Sequence, residues 1–412
     1  MATQIAPGTR KIDTCQRPSY APSVPANPSF KEMMNEVVAY GSCCECGSCV
    51  LVCPHNVIEY IEGKPKQTAK ASASFDFCGI STGIGCDVCA QVCPRLNPRE
   101  FELADLLYGA DQPYKGAFGV YRRVLVARTT DANVLGRAQD GGVVTGMLRW
   151  LLEHGEIDGA AVSVADPERP ALPMPKLVTT VDELLASSGS WYTYCANNLA
   201  LADAERLGCE RVAFVGVPCQ ITPVRKMQLV DESYLVNGRK KEKHIERQTK
   251  FLKGFGARVA LNIGLLCTEV FTYEGLMVEK IQDEMGIPLQ DIKKFNVKGK
   301  VLIYKHDGSL VEMKLKAAQE YARPECHHCG DFSAELADIS CGGVGAMDWT
   351  ITILRTARGE ELFNRMVAEG LFEVRPIEEF ENSMKVLLRL TNKQHLRVPI
   401  PPGQDASRVR AV

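Results

Sequence analysis

Five cysteines fall in one short run, and four of them are spaced Cys43-x2-Cys46-x2-Cys49-x3-Cys53-Pro54. Two-residue gaps let one tight backbone loop aim three thiolates at a single centre, while the fourth, set apart by three residues and followed by proline, reaches a different one. A segment built this way folds around what its sulfurs bind. Downstream, Cys86-x2-Cys89-x3-Cys93-Pro94 repeats the ending, with Gly83 where a regular repeat would carry a cysteine. Cys78 is the replacement, reached through a longer loop.

The paired runs have the crossed spacing of two-cluster ferredoxins, in which the fourth cysteine of each run serves the other cluster. Cys43, Cys46, Cys49 and Cys93 are therefore assigned to one 4Fe-4S cluster, and Cys53, Cys78, Cys86 and Cys89 to the other. Structural zinc sites also use Cys-x2-Cys pairs, but do not need the Cys-x3-Cys-Pro ending twice. Cys44 competes with its neighbour Cys43 as a ligand; the regular spacing favours Cys43. The chain has 17 cysteines in 412 residues, too few for a disulfide scaffold of more than about 8 to 10% cysteine. Clustered cysteine in a reducing compartment reads as metal ligation.

Lys and Arg total 48 against 50 for Asp and Glu, a net charge of -2 that offers no global field for nucleic acid. No run approaches the roughly 18 to 20 apolar residues of a membrane span, and Met1 to Phe30 lacks an apolar signal core, so the sequence predicts a cytoplasmic protein. Proline-rich residues 1–35 predict an extended arm or a loose terminal tail. A ferredoxin-like unit over 36–100, a connector over 101–122, an α/β core over 123–385 and a tail over 386–412 complete the expected organisation.

The core alternates strand-like runs with amphipathic helices. Strands are expected at Val124 to Arg128, Gly159 to Val164, Arg211 to Val217 and Val259 to Leu266, and a hairpin at Val301 to Tyr304 and Leu310 to Leu315. A helix follows Asp140, burying Val143, Val144, Met147, Leu148, Leu151 and Leu152; a late helix carries Leu362, Phe363, Met366 and Val367 and stops near Gly370. Two of the strand runs end in Cys219 and Cys267. If they are parallel, both thiols lie at carboxyl ends, where open α/β sheets place ligands. Cys326-His327-His328-Cys329 adds a close pair, enough for a third cubane. Two alternatives stay open: Cys219 and Cys267 as small core residues, and zinc at Cys326 and Cys329 with His327 or His328 assisting.

Gln139-Asp140-Gly141-Gly142-Val143-Val144-Thr145 leads into a helix whose first amides favour an anion; a plain turn capped by Asp140 is the alternative. Ser340-Cys341-Gly342-Gly343-Val344-Gly345 reads as a phosphate-binding loop or a tight connection. Arg225 and Lys226, after the Cys219 turn, are candidate partners for an acidic ligand or solvated surface residues. Trp191, Tyr192 and Tyr194 read as core aromatics that also suit flavin stacking.

Together, Ala127-Arg128-Thr129-Thr130-Asp131, Ala138-Gln139-Asp140-Gly141-Gly142, Pro218-Cys219-Gln220, Arg225-Lys226-Met227 and Glu335-Leu336-Ala337-Asp338-Ile339-Ser340 resemble the beta subunits of the coenzyme F-420 hydrogenases and dehydrogenases. The resemblance spans about residue 120 to residue 385. It implies a mixed α/β (α+β) fold: a two-cluster ferredoxin-like domain, then a flavin-binding α/β core with its own iron-sulfur cluster. It also implies FAD, coenzyme F-420 (a deazaflavin) as substrate, a core 4Fe-4S cluster on Cys219, Cys267, Cys326 and Cys329, and three clusters in all. Flavin contacts fall to Gln139, Asp140, Gly141, Gly142, Val143, Thr145, Arg225, Lys226, Ser340, Gly342 and Gly345. Hydride transfer needs no acid-base residue. The expected partner is a separate redox subunit in a hetero-oligomeric complex. Cys341 departs from the small or hydroxyl residue anticipated there, and stands either as an inert thiol or as a competing ligand.

Overall fold

The computed structural model describes residues 30–68, 86–96, 100–109, 118–229, 242–395 and 397. Cys78, most of the N-terminal arm and the end of the tail lie outside them. Within the arm, residues from Phe30 onward are helical rather than extended, with Phe30, Met33 and Val37 packed beside Cys43, Cys53, Cys89 and Cys93.

Among the described residues thirteen strands follow in chain order. β1 (Ile58–Ile61) and β2 (Lys64–Gln67) make an antiparallel hairpin after the first cysteine run. The core contributes β3 (Arg123–Thr129), β4 (Gly159–Ala165), β5 (Pro173–Val178), β6 (Val212–Gly216) and β7 (Val259–Leu265). Next come β8 (Ile292–Val297), β9 (Lys300–Lys305) and β10 (Leu310–Lys314), a separate antiparallel sheet. The chain then returns with β11 (Ile339–Gly342), β12 (Thr350–Leu354) and β13 (Phe372–Pro376).

The large sheet has the order β13-β3-β12-β11-β7-β6-β4-β5. β4, β6, β7 and β11 pair in parallel; β12 runs against both β11 and β3, so β3 shares the direction of the central four. Five strands therefore end on one edge. The expected strands and hairpin are present within a residue or two, as are the helices Val143–Glu153 and Ala357–Ala368.

Side chains along β6 alternate faces as the strand period of two requires. Val212 and Phe214 join the apolar layer formed with helices Pro218–Leu229 and Glu242–Ala257, while Ala213 and Val215 face the layer of helices Val143–Glu153 and Ala357–Ala368. The first layer also takes in Val52, Val88 and Val92 of the cysteine-rich unit and Leu103 of helix Glu100–Tyr108. Each such side chain contributes about 1.5 to 3 kcal/mol when fully buried. The cysteine-rich unit is thus packed into the sheet's core, and the segment read as a connector carries a buried helix. At the other end, helix Glu381–His395 runs past the anticipated core boundary at residue 385.

A buried polar lattice ties the sheet to the strand-less segment before β11. Asp338 accepts from the Asn262 amide (2.7 Å) and the Thr356 hydroxyl (2.8 Å), and pairs with Arg225 (2.9 Å). Arg355, only 1% exposed, donates to the Ser340 hydroxyl (2.7 Å), the Phe118 and Val120 carbonyls (2.9 and 2.8 Å) and Ser333 O and Oγ (3.0 and 3.1 Å). A planar fork fills these acceptors; an ammonium does not. Replacing Arg355 by Met or Lys should lower stability by about 3 kcal/mol or more, because buried acceptors lose their donors. Urea unfolding followed by circular dichroism measures this, and a midpoint equal to wild type would show that the lattice carries no weight.

Candidate functional site

The carboxyl edge of the large sheet gathers the chemistry. After β6, Pro218 opens helix Pro218–Leu229, its fixed φ suited to a first helical position, and Cys219 follows in the first turn. After β7, the Leu266 amide still bonds the Cys341 carbonyl (2.9 Å) and the Cys267 amide bonds the Phe332 carbonyl (2.9 Å), which fixes Cys267 beside the neighbouring strand end. Residues Pro324–His328 form a 3-10 turn. The Cys329 amide, at the end of that turn, bonds the Cys326 carbonyl at 3.2 Å, which keeps the two cysteines close.

These four cysteines, and Cys44 with them, line one cavity of ≈ 370 Å³ measured out to its mouth. Its polar wall includes Arg95, Tyr194 and Arg323, with Thr268, Glu325 and Gln394. The Arg323 guanidinium lies over the Tyr194 ring at 4.1 Å and pairs with Glu45. Arg95 donates through Nη1 to the His328 carbonyl, while its Nε and the Tyr194 hydroxyl have no hydrogen-bond partner. Buried donors without acceptors, beside buried cationic side chains and several thiols, fit an anionic sulfur-rich group. His327 and His328 do not line the cavity. Among the described residues no three His, Cys, Asp or Glu side chains are gathered tightly enough to hold a single ion.

In the N-terminal unit, the first run wraps into helix Ser48–Leu51 and Cys93 follows helix Val88–Val92. Cys49 lies within electrostatic reach of Cys43 and Cys93, and Cys46 of Cys49. Cys53 and Cys89 share the same apolar cluster, and the Cys53 sulfur accepts the Val57 amide at 3.4 Å. Gly47 abuts the core directly: a Cβ there would meet Leu199 at 2.6 Å.

The flavin candidates divide. Gly141 presses on β3 and β12, where a Cβ would meet the Ala127 carbonyl at 2.4 Å. Gly142, at φ 69°, is the N-cap of helix Val143–Glu153 without a side-chain cap, so the first amides of that helix are open to an anion. Asp140 does not cap the helix; it pairs with Lys298, which also reaches the Ala346 carbonyl (3.3 Å). Gly343 sits against the Asp140 carboxylate, so the two glycine loops touch. Gln139 donates to the Phe295 carbonyl (2.8 Å), Val143 packs into the core and Thr145 lies in the first helical turn. Gly342 packs on Leu266, and Gly345, at φ 67°, on Ser383.

Three candidates differ from expectation. The Ser340 hydroxyl is buried in the Arg355 lattice. Arg225, 5% exposed, bonds the Leu336 carbonyl (2.7 Å) and Asp338. The Lys226 ammonium, equally buried, bonds the Cys93 carbonyl at 2.6 Å. Both cations are buried on internal partners, and Lys226 places positive charge beside the N-terminal cysteines. Sequence reasoning missed Lys298, Arg95, Arg323 and Lys294, whose ammonium donates to the Ala138 carbonyl at 3.1 Å; the two lysines follow a pattern, Lys293-Lys294-x3-Lys298-x-Lys300, that resembles any solvated strand. Cys341 is buried in β11 beside Thr352 and outside the thiol cavity, with burial holding its thiol up at about 12.

Residues 124–202 and 209–380 match the sequence profiles of the N-terminal and C-terminal parts of the coenzyme F-420 hydrogenase/dehydrogenase beta subunit. The chain belongs to this family. It is 34% identical over 287 residues to the beta subunit of the coenzyme F-420 hydrogenase of Methanosarcina barkeri, covering 69% of this chain and 91% of that protein. It is 30% identical over 374 residues to a component of the F(420)H(2) dehydrogenase of Methanosarcina mazei, covering 88% and 93%. A chain in the xenon-derivatised F-420-reducing [NiFe] hydrogenase complex of Methanosarcina barkeri superposes with a TM-score of 0.60 at 32% identity, over 68% of this chain and 91% of that one. Like that family member, this chain has a mixed α/β core. Among the described residues no helix is long and apolar enough to cross a membrane.

Two outcomes follow for the thiols. Cys326→Ala should remove about 4 iron atoms per chain, one cubane's worth, whereas Cys341→Ala should leave the iron count at the wild-type value; colorimetric iron analysis of oxygen-free protein decides. Secondly, burial pushes Cys43 up to about 12 and raises Cys49, Cys93, Cys267 and Cys326. A raised thiol is protonated in the cluster-free fold, so binding iron must expel protons, and affinity should rise with pH. The same shift stabilises the cluster-free fold fully below the unfolded thiol pKa near 9, with that contribution lost as pH climbs toward about 12. Proton release during anaerobic reconstitution in weak buffer tests this; a pH-independent, proton-silent reconstitution would contradict it.

Proposed function

We propose that this chain is a coenzyme F-420-linked oxidoreductase subunit that holds FAD and three 4Fe-4S clusters and works within a hetero-oligomeric redox complex. Family membership supports the F-420 link, and the kinship with a subunit of a hydrogenase complex supports the assembly. One observation carries the cofactor reading. The open-amide turn after β3, the glycine loop after β11 and the thiol cavity after β7 and β6 lie along one sheet edge in that spatial order.

A flavin supplies the step between a two-electron hydride carrier and one-electron clusters. The residues have simpler work. The first amides of helix Val143–Glu153 bind a pyrophosphate by their dipole and free N–H groups. Gly141 and Gly343 allow the loops to close on each other, and Lys298 holds Asp140 in place while adding positive charge nearby. Gln139 and Tyr192 tie the turn to β8, which covers it: Gln139 donates to the Phe295 carbonyl, and the Val297 amide donates to the Tyr192 hydroxyl at 3.2 Å. Cys219, Cys267, Cys326 and Cys329 would hold the core cluster, with Arg95 and Tyr194 turned toward its sulfurs. Cys43, Cys46, Cys49 and Cys93 would hold the next, and Lys226 offsets its charge through contact with the Cys93 carbonyl. Cys53, Cys86, Cys89 and Cys78 are proposed for the third.

The decisive trial is anaerobic mixing of the flavin- and cluster-loaded full chain with reduced coenzyme F-420. The flavin band should bleach at substoichiometric coenzyme and recover on adding a one-electron acceptor. A loaded sample that keeps its flavin band rejects coenzyme F-420 as the substrate.

A further inference from the structure

Helix Glu381–His395 begins where the family match over residues 209–380 stops, yet it touches the candidate site at both ends. At its start, Gly345 of the second glycine loop presses on it: a Cβ there would meet the Ser383 Cα at 3.2 Å. Its 15 residues, at a rise of about 1.5 Å each, carry the chain roughly 22 Å from that loop to the thiol cavity. Leu387, with Met384, Leu388 and Leu390 beside it, docks the helix on an apolar cluster.

The side chains that end this segment reach elsewhere. Gln394, 2% exposed, forms part of the cavity wall and donates through Nε2 to the Thr268 carbonyl at 3.2 Å. Arg397 donates through Nη1 to the same carbonyl, and its Nη2 pairs with Glu269 at 2.9 Å. Glu269 also accepts Gln319 Nε2 at 2.8 Å. His395 Nε2 lies 2.9 Å from the Glu335 carboxylate, which fastens the helix end to the family motif. A carbonyl oxygen has two lone pairs, and both donors to Thr268 come from the C-terminal segment.

Thr268 directly follows Cys267. The other three cysteines proposed for the core cluster have local frames: Cys219 sits in the first turn of a helix, and Cys326 and Cys329 share a 3-10 turn. Cys267 lies past the end of β7, outside any helix or strand, with its amide on the Phe332 carbonyl. Its position has to be imposed by distant residues.

We propose that Gln394 and Arg397 are positioning residues for Cys267: by holding the Thr268 carbonyl they keep this ligand at the core cavity and close the cavity wall, so that the core cluster is retained. This rests on the cluster reading above. Groups that orient a metal ligand without touching the metal typically contribute about 10- to 100-fold to its retention. No electron or proton passes through either side chain.

Full-length wild type, Gln394→Met, Arg397→Met, Arg397→Lys and Cys267→Ser are cluster-loaded without oxygen, and loss of each cluster to a ferrous chelator is followed by EPR of samples reduced with dithionite. Cys267→Ser, short of about 4 iron atoms, identifies the core signal. In both methionine variants the core signal should decay roughly tenfold faster than in wild type, while the N-terminal signals keep the wild-type rate. Arg397→Lys, which retains a charged donor, should recover most of the resistance. Should a methionine variant not fold, amide exchange on wild type gives the same decision: loading the clusters should slow exchange in residues 265–270 and 388–395 together. A wild-type core decay in the methionine variants, loss of all clusters in step, or exchange in residues 388–395 that ignores loading would overturn the proposal. The cluster reading fails on different evidence: a wild-type chain with no core-cluster signal, or Cys267→Ser with undiminished iron.

Discussion

Everything at the candidate site depends on β6 and β7 running parallel and side by side. That shared direction brings Cys219 and Cys267 to one edge, and the parallel register of β11 on β7 brings the second glycine loop to the same place. Antiparallel pairing of β6 and β7 would have sent the two thiols to opposite ends of the sheet. The buried lattice of Asp338, Arg225 and Asn262 locks this arrangement, since Asp338 joins β7 to the helix that follows β6. A buried carboxylate left without these partners is strongly unfavourable.

The cysteine-rich unit is equally constrained. Charge holds it to the core through Glu45 and Arg323 and through Lys226, while Val52, Val88 and Val92 share the sheet's apolar layer. Such anchoring fixes the separation between thiol groups, and fixed separation is what a chain of one-electron carriers requires. The family motif around residues 335 to 340 acquires a physical role here: Asp338 and Ser340 belong to the buried polar lattice, and the loop proposed for the flavin begins only at Gly342.

Much of this is legible in the sequence. Buried runs such as Val212 to Gly216 announce strands, and the close spacing of Cys43, Cys46 and Cys49 announces the tight turn that leads into helix Ser48–Leu51. Other parts are hidden for identifiable reasons. β5 contains Pro173 and Pro175 and β13 ends in Pro376; both are edge strands, where proline costs no ladder bond, so a reading that uses proline as a breaker passes over them. β11 is only four residues long and gains its identity from β7 and β12. β12 alternates Thr and Ile and carries a usable signal. The charged groups mislead because sequence gives no depth: Arg225 and Lys226 resemble surface cations, and their buried partners at Asp338 and Cys93 are far away in the chain. Cys44 is visibly surplus beside Cys43, but its place among the thiols of the core cavity is set by the packing of distant segments, which no spacing rule encodes.

The central claim is that the five-thiol cavity at the carboxyl edge houses an iron-sulfur cubane on Cys219, Cys267, Cys326 and Cys329. Anomalous diffraction at the iron and zinc absorption edges, from crystals grown without oxygen, tests it most directly. The account predicts a compact iron peak between those four sulfurs. A zinc peak there, or iron confined to the N-terminal unit, would contradict it.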